Sequence, residues 1–286
     1  MRVAFGTAVA MLCFAANSLL CRAALREGAI DPASFTAIRL ATGAVVLLAL
    51  VAARKGSGAR RGSWSSAGAL AVYAIAFSLA YVRVPAATGA LLLFGCVQLT
   101  MMTGALLRGE RPSVLQLLGW LLALGGMIVI NGPGLASPPI DGALLMGVAG
   151  VAWGIYSLRG RGVEDPLGET AWNFIRTLPA VLALVGYALA RTMHVSVEGA
   201  LLAAASGALA SGLGYAIWYA VVPQLGAARA ASVQLSVPLL TALVAFGVLG
   251  ESPHVQTLVG GGVIIVGLAL ALRTRRQLVS RNAPAE

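Results

Sequence analysis

Long apolar runs, each about as long as a bilayer core is thick, alternate along this chain with short polar breaks. At 1.5 Å per residue, about twenty apolar residues in a helix cross the hydrocarbon. By that measure ten spans are expected, roughly 3–21, 34–53, 66–82, 86–107, 113–131, 142–158, 170–190, 199–221, 229–249 and 255–272. Helices are the sensible reading, because an unpaired backbone group in lipid costs several kcal/mol. The breaks carry turn residues, as in "GERP", "NGPGLASPP" and "GESP". Residues 3–21 imitate a signal peptide, but only Arg2 precedes them as a basic residue and no clean small-x-small site follows. They are read as the first span.

Composition agrees. Of 286 residues, 59% are hydrophobic and 10% charged, against about 25% charged in a soluble domain. The chain is therefore expected to be an all-α polytopic membrane protein in a lipid bilayer. A net charge of +10 raises nucleic acid as a partner, but the arginines form no single stripe. They cluster between spans, so no nucleic acid is expected and topology explains them. With the N-terminus inside, inner segments carry 14 basic residues and outer segments 4. Both termini are accordingly placed in the cytoplasm, with the chain in the cell's inner membrane. Cys13, Cys21 and Cys96 all fall within apolar runs, so no disulfide, metal or other cofactor is expected.

The chain also repeats itself. At an offset of 141 residues, "RPSVLQLLGWLLALGG" lies over "SPHVQTLVGGGVIIVG", aligning Gly119 with Gly260 and Gly126 with Gly267. At 137, "AIR" (Ala37 to Arg39) lies over "FIR" (Phe174 to Arg176). Residues 1–136 thus form one five-helix repeat and 137–273 a second, followed by a basic tail over 274–286. Five is odd, so the second repeat enters the membrane upside down. Inverted repeats are a common architecture of secondary transporters, whose substrate site lies near the midplane where the halves meet.

The stretches "PAATGALLLFGCVQLTMMTGALLRGERPSVLQLLGWLLALGGMIVI" and "GAARAASVQLSVPLLTALVAFGVLGESPHVQTLVGGGVIIVGLAL" carry a family likeness, with the arginine of the second helix and "AWGIYS" of the sixth. On them the chain resembles the drug/metabolite transporter superfamily, in its ten-helix EamA-like branch, and is similar to the amino-acid exporters within it. The resemblance implies a basket of helices around a central cavity, alternating access, and export or exchange of small metabolites. One departure is visible: Pro238 breaks the ninth helix, while the matching place in the fourth is Val97.

Polar groups inside the spans are the candidates for chemistry. No Asp, Glu or His falls deep in any run, so proton coupling through a buried carboxylate or imidazole is not expected. Arg39 and Arg176 are the deep-looking charges. Each either snorkels to its interface, bonds carbonyls of a neighbouring helix, or meets a substrate carboxylate, and Arg176 is preferred for the last role because Trp172 shares its face. Buried amides are costly, so Asn17, Gln98 and Gln234 are expected to face a wet cavity or to join helices, with Gln98 nearest the midplane. Tyr81, Trp153, Tyr156, Tyr215 and Trp218 complete the expected substrate site, as rings that either line the cavity or lie in an interfacial belt. The serine-rich "AASGALASG" has no histidine in a span to serve it, and a phosphate-binding loop is missing, so an enzyme is disfavoured. The expected function is a secondary carrier of small metabolites, with amino acids bearing aromatic or other apolar side chains as leading substrates. A drug or lipid-like carrier is the alternative, and a channel or intramembrane enzyme ranks lower. The protein is expected to be a monomer or weak homodimer.

The Gly-Glu-x-Pro phrase, present twice, is expected to be one turn used in both orientations. Gly109 and Gly250 would end helices, Pro112 and Pro253 would open the next, and Glu110 and Glu251 would sit near the positive helix starts. Pro179 and Pro238 are expected to kink their helices.

Overall fold

The apolar runs fold into ten helical spans in the computed structural model, which describes residues 2–54, 62–109, 113–131, 138–161, 163–225, 227–234, 236–251 and 255–273. The spans are α1 (Arg2–Arg26), α2 (Pro32–Ala53), α3 (Trp64–Tyr81), α4 (Ala86–Leu107), α5 (Val114–Asn131) and α6 (Ile140–Arg159). Then come α7 (Pro166–Thr192) and α8 (Val197–Leu225). α9 is described in two pieces, Ala227–Gln234 and Ser236–Leu249, and α10 is Val255–Arg273. Seven of these helices are long and apolar enough to cross a membrane, and the other three contain shorter apolar stretches. This is a multi-pass membrane protein.

Local chemistry sets most helix ends. Asp31 caps α2 by accepting from the backbone N–H groups of Ala33 and Ser34, with Pro32 at the first position. Ser113 and Gln116 exchange side-chain bonds with each other's backbone N–H, a capping box that starts α5. α1 runs past the expected end because "CRAALR" contains no breaker, and the chain turns only at Gly28, whose φ is +69°. Arg22 and Arg26 therefore belong to α1 rather than to a loop. Gly109 and Gly250 take φ values of +80° and +64°, the left-handed turns expected of them. Glu110, Pro112, Pro253 and the tail over 274–286 lie outside the described residues.

α7 breaks where expected. Pro179 has no N–H to offer Ile175, and the helix pauses at Thr177, whose backbone N–H and hydroxyl both donate to the Phe174 carbonyl. α8 relaxes into a wider π turn over Ser206–Leu213, which places both serines of "AASGALASG" against α1 and α2.

The halves interleave. α3 packs along α6, and α8, its counterpart in the second half, packs along α1. α5 and α10 lie mainly against each other, beside the rest. A Cβ added at Gly119 would strike the Gly267 carbonyl, and one at Gly126 the Gly260 carbonyl. Since Gly119 aligns with Gly260 and Gly126 with Gly267, each of these contacts is the image of the other under exchange of the halves. The glycines allow that close approach.

Candidate functional site

The arginine-rich end of the bundle is tied by polar contacts between elements distant in sequence. Arg54 at the end of α2 makes a two-pronged pair with Asp165 at the start of α7, at 2.6 and 2.8 Å. Arg54 holds the Asp165 carboxyl below the usual carboxylate range. Arg159 donates to Ser66 and Ser63 of the α3 cap, and the Asn173 side-chain oxygen accepts from the Ser63 N–H. The opposite end has its own ties. Arg22 pairs with Glu251 at 2.8 Å and donates to the Tyr81 carbonyl, while Arg26 donates to the Leu249 carbonyl. Glu251 also accepts from the Ala86 N–H. It thus caps α4 while paired with Arg22, which the longer α1 brings inward; residues 252–254, between Glu251 and α10, lie outside the described residues.

Between these ends the core is aromatic and shut. Phe14 of α1, Tyr73 of α3, Trp153 and Tyr156 of α6, and Tyr215 and Trp218 of α8 form one ring cluster, all buried. The Trp153 ring lies 4.6 Å from Tyr215, 5.1 Å from Tyr73 and 5.3 Å from Phe14, and Phe14 lies 5.7 Å from Trp218. Such separations suit tilted and edge-to-face rings. The void among Phe14, Asn17, Ser18, Tyr73, Phe77, Leu93, Phe94 and Trp153 measures ≈ 10 Å³, whereas small-molecule sites run to about 300 Å³ or more. The rings must part before a metabolite can enter. A much larger hollow, ≈ 1080 Å³, is an apolar furrow on the outer side of α3, α4 and α6, with half-exposed Val72, Val148 and Ile155.

Polar groups are threaded through the rings. Asn17 donates to the Tyr73 hydroxyl at 2.9 Å and accepts from Ser206 at 2.7 Å, joining α1, α3 and α8. Trp153 donates to Gln234 at 2.8 Å, joining α6 and α9. Gln98 donates to the sulfur of Met102, and its amide oxygen is buried without a partner. The Trp218 indole N–H is likewise buried and unbonded.

Arg39 is the most buried charge among the described residues, 1% exposed. Its Nε donates to Ser211 at 3.0 Å, and one terminal nitrogen, Nη2, donates to the hydroxyls of Tyr215 at 2.7 Å and Tyr73 at 3.1 Å. Its carbon Cζ lies 5.1 Å from the Tyr73 ring and 4.9 Å from the Phe77 ring. The other terminal nitrogen, Nη1, has no hydrogen-bond partner among the described residues. Snorkelling, one of its expected readings, does not occur: α2 starts at Pro32, earlier than expected, so Arg39 sits two turns inside and is covered by α3 and α8.

Of the residues expected at the site, Asn17, Trp153, Tyr156, Tyr215, Trp218 and Gln234 come together in and around the ring cluster. Tyr81 reaches it by a ring contact with Phe77, its hydroxyl donating to the Ala86 carbonyl, and Gln98 lies one turn from Phe94. Trp172 and Arg176 are elsewhere. Both lie against Gly62, with Arg176 5.9 Å from the Trp64 ring, at the arginine-rich end. Both arginines are expected to be deep; Arg39 is, whereas Arg176 is partly exposed beside Trp64. Phe14, Ser206 and Ser211 gave little warning: a single ring in α1 has no pattern, and two serines in a small-residue run mark no site.

Comparisons with known proteins agree with this architecture. The EamA-like transporter family matches residues 1–132 and again 140–273. The chain is 51% identical over 277 residues to an uncharacterized protein of Pseudomonas aeruginosa, covering 96% of each. It is 28% identical over 286 residues to an uncharacterized transporter of Archaeoglobus fulgidus, covering 94% of this chain and 97% of that one. It is also 28% identical over 212 residues to a probable terminal-alkyne amino-acid exporter of Streptantibioticus cattleyicolor, covering 71% and 70%. One crystal structure of a protein shares the fold with a TM-score of 0.72 at 21% identity, covering 96% of this chain and 99% of the other. The two matched segments, the ten spans and the extended relatives lead to one conclusion: this chain belongs to the EamA-like transporter family.

Proposed function

We propose that the protein carries amino acids with aromatic or other apolar side chains across the cell's cytoplasmic membrane by alternating access. The arginine-rich end and both termini face the cytoplasm, and rocking of one half against the other exposes the ring cluster to each side in turn. The observation that carries this reading is the cluster itself. Rings from α1, α3, α6 and α8 converge where the halves meet, with polar atoms set among them. Such a box suits an apolar side chain, and the polar atoms suit the groups on its α-carbon. The polar ties at both ends fit a closed intermediate. The name of the Streptantibioticus cattleyicolor relative, an amino-acid exporter, points the same way.

Movement is by facilitated diffusion or exchange, because the described spans hold no buried carboxylate or imidazole for a proton. Transport driven by a pH gradient alone would contradict that. Uptake by the purified protein in liposomes tests the whole reading. Labelled phenylalanine should exchange, and unlabelled phenylalanine and leucine should compete; failure of both to compete would sink it. The apolar furrow on α3, α4 and α6 favours a second reading, a lipid-like cargo. A fluorescent-lipid scrambling assay separates the two.

A further inference from the structure

We infer that Arg39 is the carboxylate site of the carried molecule, and that the carboxylate, not the ammonium group, is the part of it that the protein requires. This rests on the proposed amino-acid cargo and says which half of the zwitterion is read.

A guanidinium has five N–H donors and no acceptor. At Arg39, Nε and Nη2 are occupied by three hydroxyls, while Nη1 is buried and unbonded. Hydroxyls orient the cation but do not neutralise it. No Asp or Glu among the described residues bonds to Arg39, and its surroundings are Ser211, Tyr73, Tyr215, Cys21 and the Phe77 ring. A buried charge without a counter-ion costs several kcal/mol. Joining helices would need only a neutral donor, as Asn17 shows between α1, α3 and α8. The charge therefore has an anion to meet that the described residues do not supply.

The shape of the site says which anion. The two terminal nitrogens form a planar fork that matches the two oxygens of a carboxylate. One prong is empty, and the other holds tyrosine hydroxyls that an incoming oxygen can displace. Tyr73 and Phe77 flank the guanidinium and also line the small central void with Phe14 and Trp153. The charge and the ring box are therefore continuous, and one molecule can occupy both. An ammonium group fares worse. The buried unbonded oxygens in and beside the ring box, the Tyr156 hydroxyl and the Gln98 amide oxygen, are neutral, while the Arg39 charge repels a second cation. The site's own groups are net positive, so a carboxylate neutralises it and an amine adds to the strain.

The decisive comparison uses four small molecules that share one ring: phenylalanine, 3-phenylpropionate, phenylalaninamide and phenethylamine. In liposomes containing the full-length protein, phenylalanine and 3-phenylpropionate should both compete with labelled phenylalanine. The amide and the amine should be weaker by about tenfold or more. In detergent, 3-phenylpropionate should raise the Tm of the protein and phenethylamine should not. Arg39→Gln should abolish the acid-dependent rise, and Arg39→Lys, which keeps the charge but loses the fork, should retain only part of it. Equal competition by acid and amide overturns the inference, as does a Tm rise with the amine equal to that with the acid, or a rise with neither. If Arg39→Gln does not fold, the four-ligand series on the unmodified protein still decides. Absence of labelled phenylalanine exchange would count against the proposed cargo, and the acid–amine Tm pair would then test Arg39 independently.

Discussion

Arg39 and Arg176 occupy matching places in α2 and α7, yet one is sealed in the core and the other lies against Trp64 at the end of the bundle. Their neighbours explain the difference. α2 packs closely on α8, where Gly43 meets the Gly207 carbonyl and a Cβ at Gly207 would strike the Arg39 carbonyl and the Thr42 hydroxyl. The mirrored contact, α7 on α3, is slight. At the 137-residue offset, α3 has Leu70, Ala74 and Ile75 where α8 has Gly207, Ser211 and Gly212. Bulk holds helices apart and leaves no hydroxyl for a guanidinium. α7 is also interrupted at Thr177, one residue after Arg176, whereas α2 continues unbroken past Arg39. The lesson is that a duplicated residue keeps its place in the chain more readily than its environment. Only the copy with small and hydroxylated neighbours becomes a dry charge.

That contrast can be broken at several points. The largest effect is expected at the α2–α8 contact. Gly207→Leu should force the helices apart and sharply reduce folded, monodisperse protein, since overpacking a core costs about 1–3 kcal/mol. Gly186→Leu on α7, where an added Cβ meets nothing, should be tolerated. Size-exclusion profiles of the two variants check this, and similar profiles would show that the contact is not tight.

Next is Trp153→Phe, which keeps a ring but strands the Gln234 oxygen that the indole now serves. An unmet buried acceptor costs about 1–3 kcal/mol, so Tm should fall clearly. Trp172→Phe at the half-buried end of the bundle should cost less than half as much.

A smaller effect concerns the tie that holds the start of α7 to the end of α2. The folded carboxyl of Asp165 titrates below its unfolded value, chiefly through the hydrogen bonds from Arg54. Its stabilisation is therefore fully present above the unfolded value of about 4 and is lost as pH falls through the lower folded one. Asp165→Asn should flatten the fall of Tm on the acid side of about pH 4 and leave the neutral-pH slope unchanged. The effect is modest because Arg54 is 35% exposed and screened by solvent.

The smallest shift is expected from Arg176→Gln. It should change the preference for 3-phenylpropionate over phenylalaninamide by less than about twofold, in the same competition assay that Arg39 dominates. A large loss there would return the carboxylate role to α7.

The sequence by itself determined the ten helices, the membrane, the repeat and several turns. These depend on the lengths of apolar runs, the cost of bare backbone in lipid, and residues such as Gly109 and Gly250 that act on their immediate neighbours. It also supplied most of the aromatic set, because rings in an otherwise aliphatic chain are conspicuous. Tertiary structure decided which of two matching arginines is buried, that Glu251 turns to Arg22 and α4, and that Phe14 joins the rings of α6 and α8. Each of those outcomes depends on what stands opposite, across helices far apart in the chain. Periodicity describes one helix at a time, whereas a buried charge is created by the helix facing it.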